Sequence, residues 1–187
     1  HPVTAPNLCM LRRKHIANGR IVSITQPSLE RIIVLGIEHL DELGDLCRKK
    51  LVIEIMGKHS NVIFCNEDDR IIDSIKHVPA QMSSVREVLP GRTYFIPDTM
   101  HKADPLTISE SDFTALLRQK PSALSKALYT SLTGISPVVA EEICFLAGLD
   151  SALPPSELSD DLMTHLYRQF SLFLAPVRDE DFHPAIY

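Results

Sequence analysis

The first half of the chain consists of short apolar runs separated by polar turn residues, which is the pattern of an antiparallel sheet. Five runs rich in Ile and Val occupy residues 20–25, 31–37, 50–56, 61–65 and 70–74. The segments between them carry Pro, Ser, Gly, Asn and Asp, which favour tight reversals of the chain. The pattern therefore predicts five strands that form an antiparallel meander.

A helix is predicted before the first strand, over residues 8–18. Asn7 has the side chain of an N-cap, and Gly19 suits the end of a helix. The stripe expected at helical spacing consists of Leu8, Leu11 and His15. These signals place one helix directly before the sheet.

The third and fourth runs alternate apolar and polar residues with a period of two. The apolar positions are Ile53, Ile55, Val62 and Phe64. This alternation predicts a hairpin in a sheet that has one buried face.

The tip of that hairpin reads Gly57-Lys58-His59-Ser60-Asn61. Glycine and asparagine are sufficient for the turn, whereas the other three add a cation, an aromatic ring and a hydroxyl. Together these groups can hold a phosphodiester backbone. An inert, solvated loop is an alternative of about equal weight, because most polar surface loops have no binding role.

After residue 109 the apolar positions recur with a helical period, following an irregular, proline-containing segment over residues 78–104. Four helices are predicted: one around Phe113, Leu116 and Leu117, then residues 123–132, 137–147 and 159–174. The last one carries a stripe that favours a core face, made of Leu162, Leu166, Phe170 and Phe173. The fold class is therefore α+β, with a β-rich part over residues 1–105 and an all-helical part over residues 106–187.

The connection between the second and third helices is typical of a helix-hairpin-helix. Gly134 allows a tight turn, and Ser136-Pro137 begins a helix whose free N–H groups can bind a phosphate. A packed helical hairpin without ligand is equally compatible with the pattern, since such turns also use glycine.

Charge and composition limit the classes of function. The chain of 187 residues has a net charge of -5, but residues 1–60 carry nine Lys/Arg and six Asp/Glu. This part can present a basic face, with its first cluster at Arg12, Arg13 and Lys14. A solvated helix face is the alternative interpretation. No apolar tract is long enough for a membrane span, no signal peptide is recognisable, and the missing initiator Met suggests a fragment.

The four cysteines lie far apart, without the spacing of a metal site. Two of them lie in apolar runs, where a free cysteine behaves as a small hydrophobe. We therefore expect no metal, no disulfide and a reducing, cytoplasmic environment.

Glu30-Arg31 opens an otherwise apolar strand, so both side chains should project from the end of the sheet. The arginine can stack on a base or pair with a phosphate while the carboxylate orients it. The alternative is an ordinary surface ion pair.

Several ordered segments resemble the NFACT family, whose bacterial members are known as RqcH or fibronectin-binding protein A. The matching segments are Cys9-Met10-Leu11-Arg12-Arg13-Lys14-His15, Ile53-Glu54-Ile55-Met56-Gly57-Lys58-His59-Ser60-Asn61-Val62-Ile63, Ile71-Ile72-Asp73-Ser74-Ile75-Lys76, Leu89-Pro90-Gly91 and Pro184-Ala185-Ile186-Tyr187. The resemblance covers the whole chain and implies the later part of the NFACT N-terminal domain, followed by a helix-hairpin-helix domain. It also implies that the preceding strands and the following coiled coil are absent. The expected fold of the first part is that of the formamidopyrimidine-DNA glycosylase N-terminal domain.

The resemblance implies an RNA-binding, ribosome-associated quality-control factor that is not an enzyme and has no cofactor. Such a protein binds stalled large ribosomal subunits and tRNA, expected to be alanyl-tRNA, and promotes untemplated alanine tailing of the nascent chain. The family's Asp-Arg pair for tRNA contact corresponds to Glu30-Arg31, which keeps the charge and adds one methylene.

Two other classes of function remain open at this point. An adhesin at the cell surface, with fibronectin or fibrinogen as partner, follows from the family's older name. An enzyme acting on nucleic acid is disfavoured, because no nucleophile-base-acid order, carboxylate pair or metal cluster is visible in the spacing.

Overall fold

The protein is described by a computed structural model that covers residues 7–96 and 102–184. Its contacts divide the chain into two compact units, residues 1–99 and residues 100–187. Among the described residues, the first holds a sheet with one helix, and the second is helical. We call them the β-rich unit and the helical unit. The predicted α+β class is confirmed, while their assignment to two family domains stays a prediction.

The sheet of the β-rich unit has five strands in chain order, and each neighbouring pair is antiparallel. The strands are β1 (Arg20–Thr25), β2 (Ile32–Leu40), β3 (Leu46–Glu54), β4 (Asn61–Asn66) and β5 (Ile71–Ser74). The predicted meander is therefore confirmed. The β2–β3 ladder extends further towards its turn than the sequence predicts, as far as the pair Leu40 and Leu46. Most residues of this extension are polar, so the apolar pattern of the sequence did not mark it as part of the strands.

Helix α1 (Asn7–Ile16) lies against the sheet, close to the predicted span of residues 8–18. Its Leu8 is buried in one cluster with Leu51 and Phe64. The apolar face of the helix thus covers one face of the sheet.

Gly19 follows this helix at a point where the backbones approach closely. A Cβ at Gly19 would lie 2.9 Å from Cγ2 of Ile37 and 3.2 Å from the carbonyl oxygen of Glu38, so a larger residue would force these neighbours to shift. The amide of Gly19 donates to the carbonyl of Ile16 over 2.9 Å, which closes the last helical turn. The helix ends at Ile16, two residues before the predicted end, and Asn18 takes the left-handed conformation with a φ of 62°. Gly19 is needed here for its small size.

The opposite face of the sheet is covered as well. Val52 and Ile63 pack there with Val88 and Tyr94, which belong to the irregular segment after β5. The prediction of one buried face is therefore wrong, because a helix covers one side and an extended segment covers the other. Ile55, expected inside, is 52% exposed since it lies beyond the end of β3.

The helical unit contains four α-helices among its described residues. They are α2 (Glu110–Arg118), α3 (Leu124–Ser131), α4 (Pro137–Leu146) and α5 (Asp160–Arg178). The hydroxyls of Ser109, Ser136 and Ser159 accept N–H bonds at the starts of α2, α4 and α5. All four predicted helices are thus present. None of the helices over residues 7–96 and 102–184 combines the length and apolar character of a membrane span.

The buried stripe of α5 differs from the predicted one by a small rotation. Leu166 and Phe170 are buried as expected, but Leu162 is 42% exposed while Met163 and Leu174 are in the core. The sequence contains apolar residues on both sides of the true stripe, so periodicity alone does not select between them.

The turn between α3 and α4 has the tight form expected from its sequence. Gly134 has a φ of 75°, which glycine adopts readily. Leu132 and Ile135 on either side are buried in the core of the unit. The geometry fits a packed helical hairpin, and phosphate binding by this turn stays a prediction.

Candidate nucleic-acid interface

The predicted hairpin tip is the β3–β4 loop, residues 55–60, and it contains a single 3₁₀ turn over Gly57–His59. Gly57 has a φ of 57°, in the left-handed region that favours glycine. The amide of Ser60 donates to the carbonyl of Gly57 over 3.0 Å. Lys58 and His59 are exposed at the tip of this compact turn.

Arg31 lies directly before β2 and beside the β3–β4 loop. Its carbonyl accepts the amide N–H of Ile55 over 2.8 Å, which links the start of β2 to the end of β3. The side chain of Arg31 is exposed, and none of the ion pairs among the described residues includes it. Its guanidinium is therefore available to a ligand.

Glu30, the predicted partner of Arg31, belongs to the tight β1–β2 connection. Its amide donates to the carbonyl of Pro27 over 3.2 Å, and its carbonyl accepts from Nε2 of Gln26 over 2.8 Å. The backbone before β2 is thus held by its own hydrogen bonds. We call this end of the sheet, where β2 begins and β3 ends, the loop end.

The polar side chains of Ser60 and Asn61 form hydrogen bonds within the protein that hold the loop and its surroundings. The hydroxyl of Ser60 accepts the amide N–H of Met56 over 2.9 Å. Asn61 is 6% exposed, and its amide group bonds with the backbone of Val62 and Lys76. The predicted set therefore separates into exposed Lys58 and His59 and two residues whose polar groups are already used.

Lys76 belongs to the same surface but was not singled out from the sequence. It follows β5, and its Nζ donates to the carbonyl of Lys58 over 2.9 Å. Next to it, Nε2 of the exposed His77 lies 2.7 Å from Oδ1 of the buried Asp73. Lys76 ends one of the segments that resemble the family, but no residue type or spacing in that segment indicated a ligand contact.

A buried network of Glu54, Arg86 and Tyr94 lies at the end of β3, next to the loop end. The carboxylate of Glu54 is 2% exposed and accepts from Nη2 of Arg86 over 2.7 Å and from the hydroxyl of Tyr94 over 3.0 Å. The guanidinium of Arg86 also lies 5.4 Å from the centre of the Tyr94 ring. Burial and the neighbouring Glu54 carboxylate raise the pKa of Tyr94 well above its usual value, so it stays a hydrogen-bond donor.

The basic cluster on α1 is exposed but does not form one site with the β3–β4 loop. Lys14 lies 3.9 Å from Glu42, which is in the β2–β3 turn at the opposite end of the sheet. Arg12 instead lines a cavity of about 580 Å³ that also borders His77 near the loop end. Arg13 between them is exposed. The three residues thus spread along the helix, and only Arg12 lies near the loop end.

A second run of basic residues, Arg48-Lys49-Lys50 in β3, is partly neutralised by ion pairs. Arg48 and Arg20 both bond with Glu38, at 2.8 Å and 3.4 Å, and Lys50 lies 2.8 Å from Asp69. The Arg48 hydrogen bond contributes most to lowering the pKa of Glu38, which keeps this carboxylate ionised. The run therefore offers less free positive charge than its sequence indicates.

The cysteines are free thiols, two buried and two half-buried. Burial raises the pKa of Cys65 to about 12 and that of Cys144 to about 11, so both stay protonated at neutral pH. Within residues 7–96 and 102–184, no group of three His, Cys, Asp or Glu side chains is placed to hold a metal ion.

Sequence comparison identifies relatives along the whole chain. The family model for the NFACT N-terminal and middle domains matches residues 1–187. The Rqc2 homolog RqcH of Bacillus subtilis (strain 168) is 41% identical over 150 residues, covering 80% of this chain and 26% of the relative. The Rqc2 homolog RqcH of Streptococcus suis (strain 05ZYH33) is 31% identical over 174 residues, covering 92% of this chain and 29% of the relative. The chain thus spans less than a third of these relatives.

Solved structures agree with this assignment. The crystal structure of the fibrinogen binding protein from Staphylococcus aureus matches with a TM-score of 0.77 and 28% identity, covering 94% of this chain and 60% of that chain. The structure of the N-terminal part of the fibronectin/fibrinogen-binding protein from Streptococcus suis matches with a TM-score of 0.67 and 30% identity. The match covers 91% of this chain and 60% of that chain. The chain therefore belongs to the NFACT family.

Proposed function

We propose that this chain is the RNA-binding part of a ribosome-associated quality-control factor that contacts tRNA on stalled large ribosomal subunits. The main observation behind the proposal is that exposed Arg31 lies beside the loop that carries exposed Lys58 and His59, at one end of the sheet. Membership of the NFACT family and similarity to proteins named Rqc2 homolog RqcH support it.

In the proposed contact, Arg31 and the β3–β4 loop bind different parts of the RNA. The planar guanidinium of Arg31 stacks on an unpaired base or forms a bidentate pair with a phosphate. The ion pairs of the described residues do not join Arg31 to Glu30, so the predicted orienting role of Glu30 belongs to the RNA-bound state in this proposal. Lys58 and His59 hold the adjacent backbone, and Gly57 lets that backbone approach closely. Arg12 extends the surface along the first helix, whereas Arg13 and Lys14 add long-range attraction.

In this proposal the protein acts in the cytoplasm by binding, without a cofactor and without catalysis of its own. It recruits tRNA, expected to be alanyl-tRNA, to the large subunit and so promotes untemplated alanine tailing. The helical unit is proposed as the family's helix-hairpin-helix domain, and the β-rich unit as the glycosylase-like N-terminal fold.

Co-sedimentation tests the proposal directly. The full-length protein is expected to sediment with large ribosomal subunits isolated after translation stalling, and sequencing of the recovered RNA should show tRNA enrichment. Arg31→Ala serves as the matched variant and should lose tRNA while the subunits are still recovered. Recovery of subunits without any tRNA enrichment by the wild-type protein would refute the proposal.

A second candidate is adhesion to fibronectin or fibrinogen, which the names of the two structural neighbours favour. Intact cells separate this candidate from the first. An adhesin is accessible to an added protease at the cell surface and binds immobilised fibronectin, whereas a ribosome-associated factor is protected inside the cell.

Lys58→Ala should weaken tRNA binding and make it less sensitive to salt. A lysine that neutralises one phosphate contributes about 0.7 to 0.9 to the slope of log affinity against log salt concentration. Binding of tRNA to the full-length protein at several KCl concentrations measures this slope. Lys126→Ala, an exposed lysine in α3 of the helical unit, is the control and should keep the wild-type slope. An unchanged slope for Lys58→Ala would remove this lysine from the interface.

A further inference from the structure

The buried amide of Asn61 holds the segment after β5 against the β3–β4 loop. Its Nδ2 donates to the carbonyl of Lys76 over 2.9 Å, and its Oδ1 accepts the amide N–H of Lys76 over 3.0 Å. The hydroxyl of Ser74, itself 4% exposed, donates to the same carbonyl over 2.9 Å. Two buried side chains therefore satisfy both backbone groups of Lys76 and restrict its position.

The far end of the Lys76 side chain is restricted too. Its ammonium donates to the carbonyl of Lys58 over 2.9 Å, although the two residues are 18 positions apart. An ammonium group has three N–H donors, so this bond leaves two for a ligand. The remaining donors belong to an exposed ammonium that lies beside the 3₁₀ turn presenting Lys58.

This geometry points to Lys76 as a second phosphate-binding lysine of the RNA surface, with Asn61 as the residue that positions it. The inference rests on the proposed function and extends it to a residue outside the predicted set. Ordering a lysine in solution costs side-chain entropy at the moment of binding. Lys76 has already lost much of this freedom in the folded chain, which favours its contact with the phosphodiester backbone.

The test is the salt dependence of tRNA binding to the full-length protein. Lys76→Ala should lower the affinity about three- to tenfold near physiological salt and reduce the slope of log affinity against log salt by about 0.7 to 0.9. Lys76→Gln removes the charge but keeps an N–H donor for the Lys58 carbonyl, and it should show the same reduced slope. The double variant Lys58→Ala/Lys76→Ala should lose roughly twice as much slope.

Three outcomes are distinguishable, with Lys126→Ala as control and thermal unfolding as a check on folding. Reduced slopes for both Lys76 variants support the inference. A wild-type slope for Lys76→Ala, together with a reduced slope for Lys58→Ala, overturns it and leaves the proposed function intact, because Lys76 then only supports the loop. Absence of tRNA binding by the wild-type protein overturns both.

Discussion

Glu54→Ala should destabilise the β-rich unit by about 3–5 kcal/mol, the usual effect of removing one partner of a buried ion pair. Glu54 is 2% exposed, and the paired side chain of Arg86 is 12% exposed. Without the carboxylate, the guanidinium keeps a hydrogen bond of 2.7 Å to the carbonyl of Phe95 but has no counter-charge at the end of β3. The hydroxyl of Tyr94 loses its acceptor as well.

Scanning calorimetry of the full chain measures this effect, and a loss of that size should lower the unfolding midpoint of the β-rich unit by about 12 °C or more. Glu87→Ala is the matched control, since Glu87 pairs with Arg92 at 2.7 Å but the two side chains are 30% and 61% exposed. We expect less than about 1 kcal/mol for this exposed pair. The double variant Glu54→Leu/Arg86→Met should recover much of the loss, because it leaves no unpaired buried charge. Equal midpoints for Glu54→Ala and Glu87→Ala would contradict the structural role of the network.

The number and order of the strands could be predicted from the sequence because their determinants are local. Runs of Ile and Val mark the strands, and turn residues mark the reversals between them. The helices of the second unit were equally visible, since a serine N-cap precedes α2, α4 and α5. These signals lie within the elements that they specify.

The burial of the sheet could not be predicted in the same way. Val52 is buried because the segment that carries Val88 and Tyr94 packs against it. No residue near Val52 in the sequence indicates that contact. Glu54 did carry a usable signal, because it is a charged residue in the same alternation as buried Val52. A carboxylate at such a position requires a partner, and Arg86 supplies it from 32 residues away.

The candidate interface shows the same limit. Lys58 and His59 were visible as an unusually polar turn, and their exposure follows from the loop itself. Lys76 was not visible, because its place beside Lys58 depends on the hydrogen bonds of Asn61, 15 residues before it in the chain. The arrangement of functional groups thus depends on long-range contacts that the pattern of residue types does not encode.

Arg31→Ala should reduce tRNA association with the full-length protein on stalled large subunits by about tenfold or more. Stacking of a base or a bidentate phosphate pair contributes roughly 1–3 kcal/mol, and alanine retains neither. The unfolding midpoint should change little, because the side chain is exposed and the carbonyl that accepts from Ile55 is preserved in alanine.

Two further variants make this prediction specific to the chemistry of arginine. Arg31→Lys keeps the charge but lacks the planar fork, so it should restore only part of the tRNA association. Arg168→Ala, an exposed arginine of α5, is the control for a general loss of positive charge and should bind like the wild-type protein. If Arg31→Ala unfolds and its RNA binding falls only in proportion to the folded fraction, Arg31 is a structural residue. Full restoration by lysine would instead show that charge alone is used at this position.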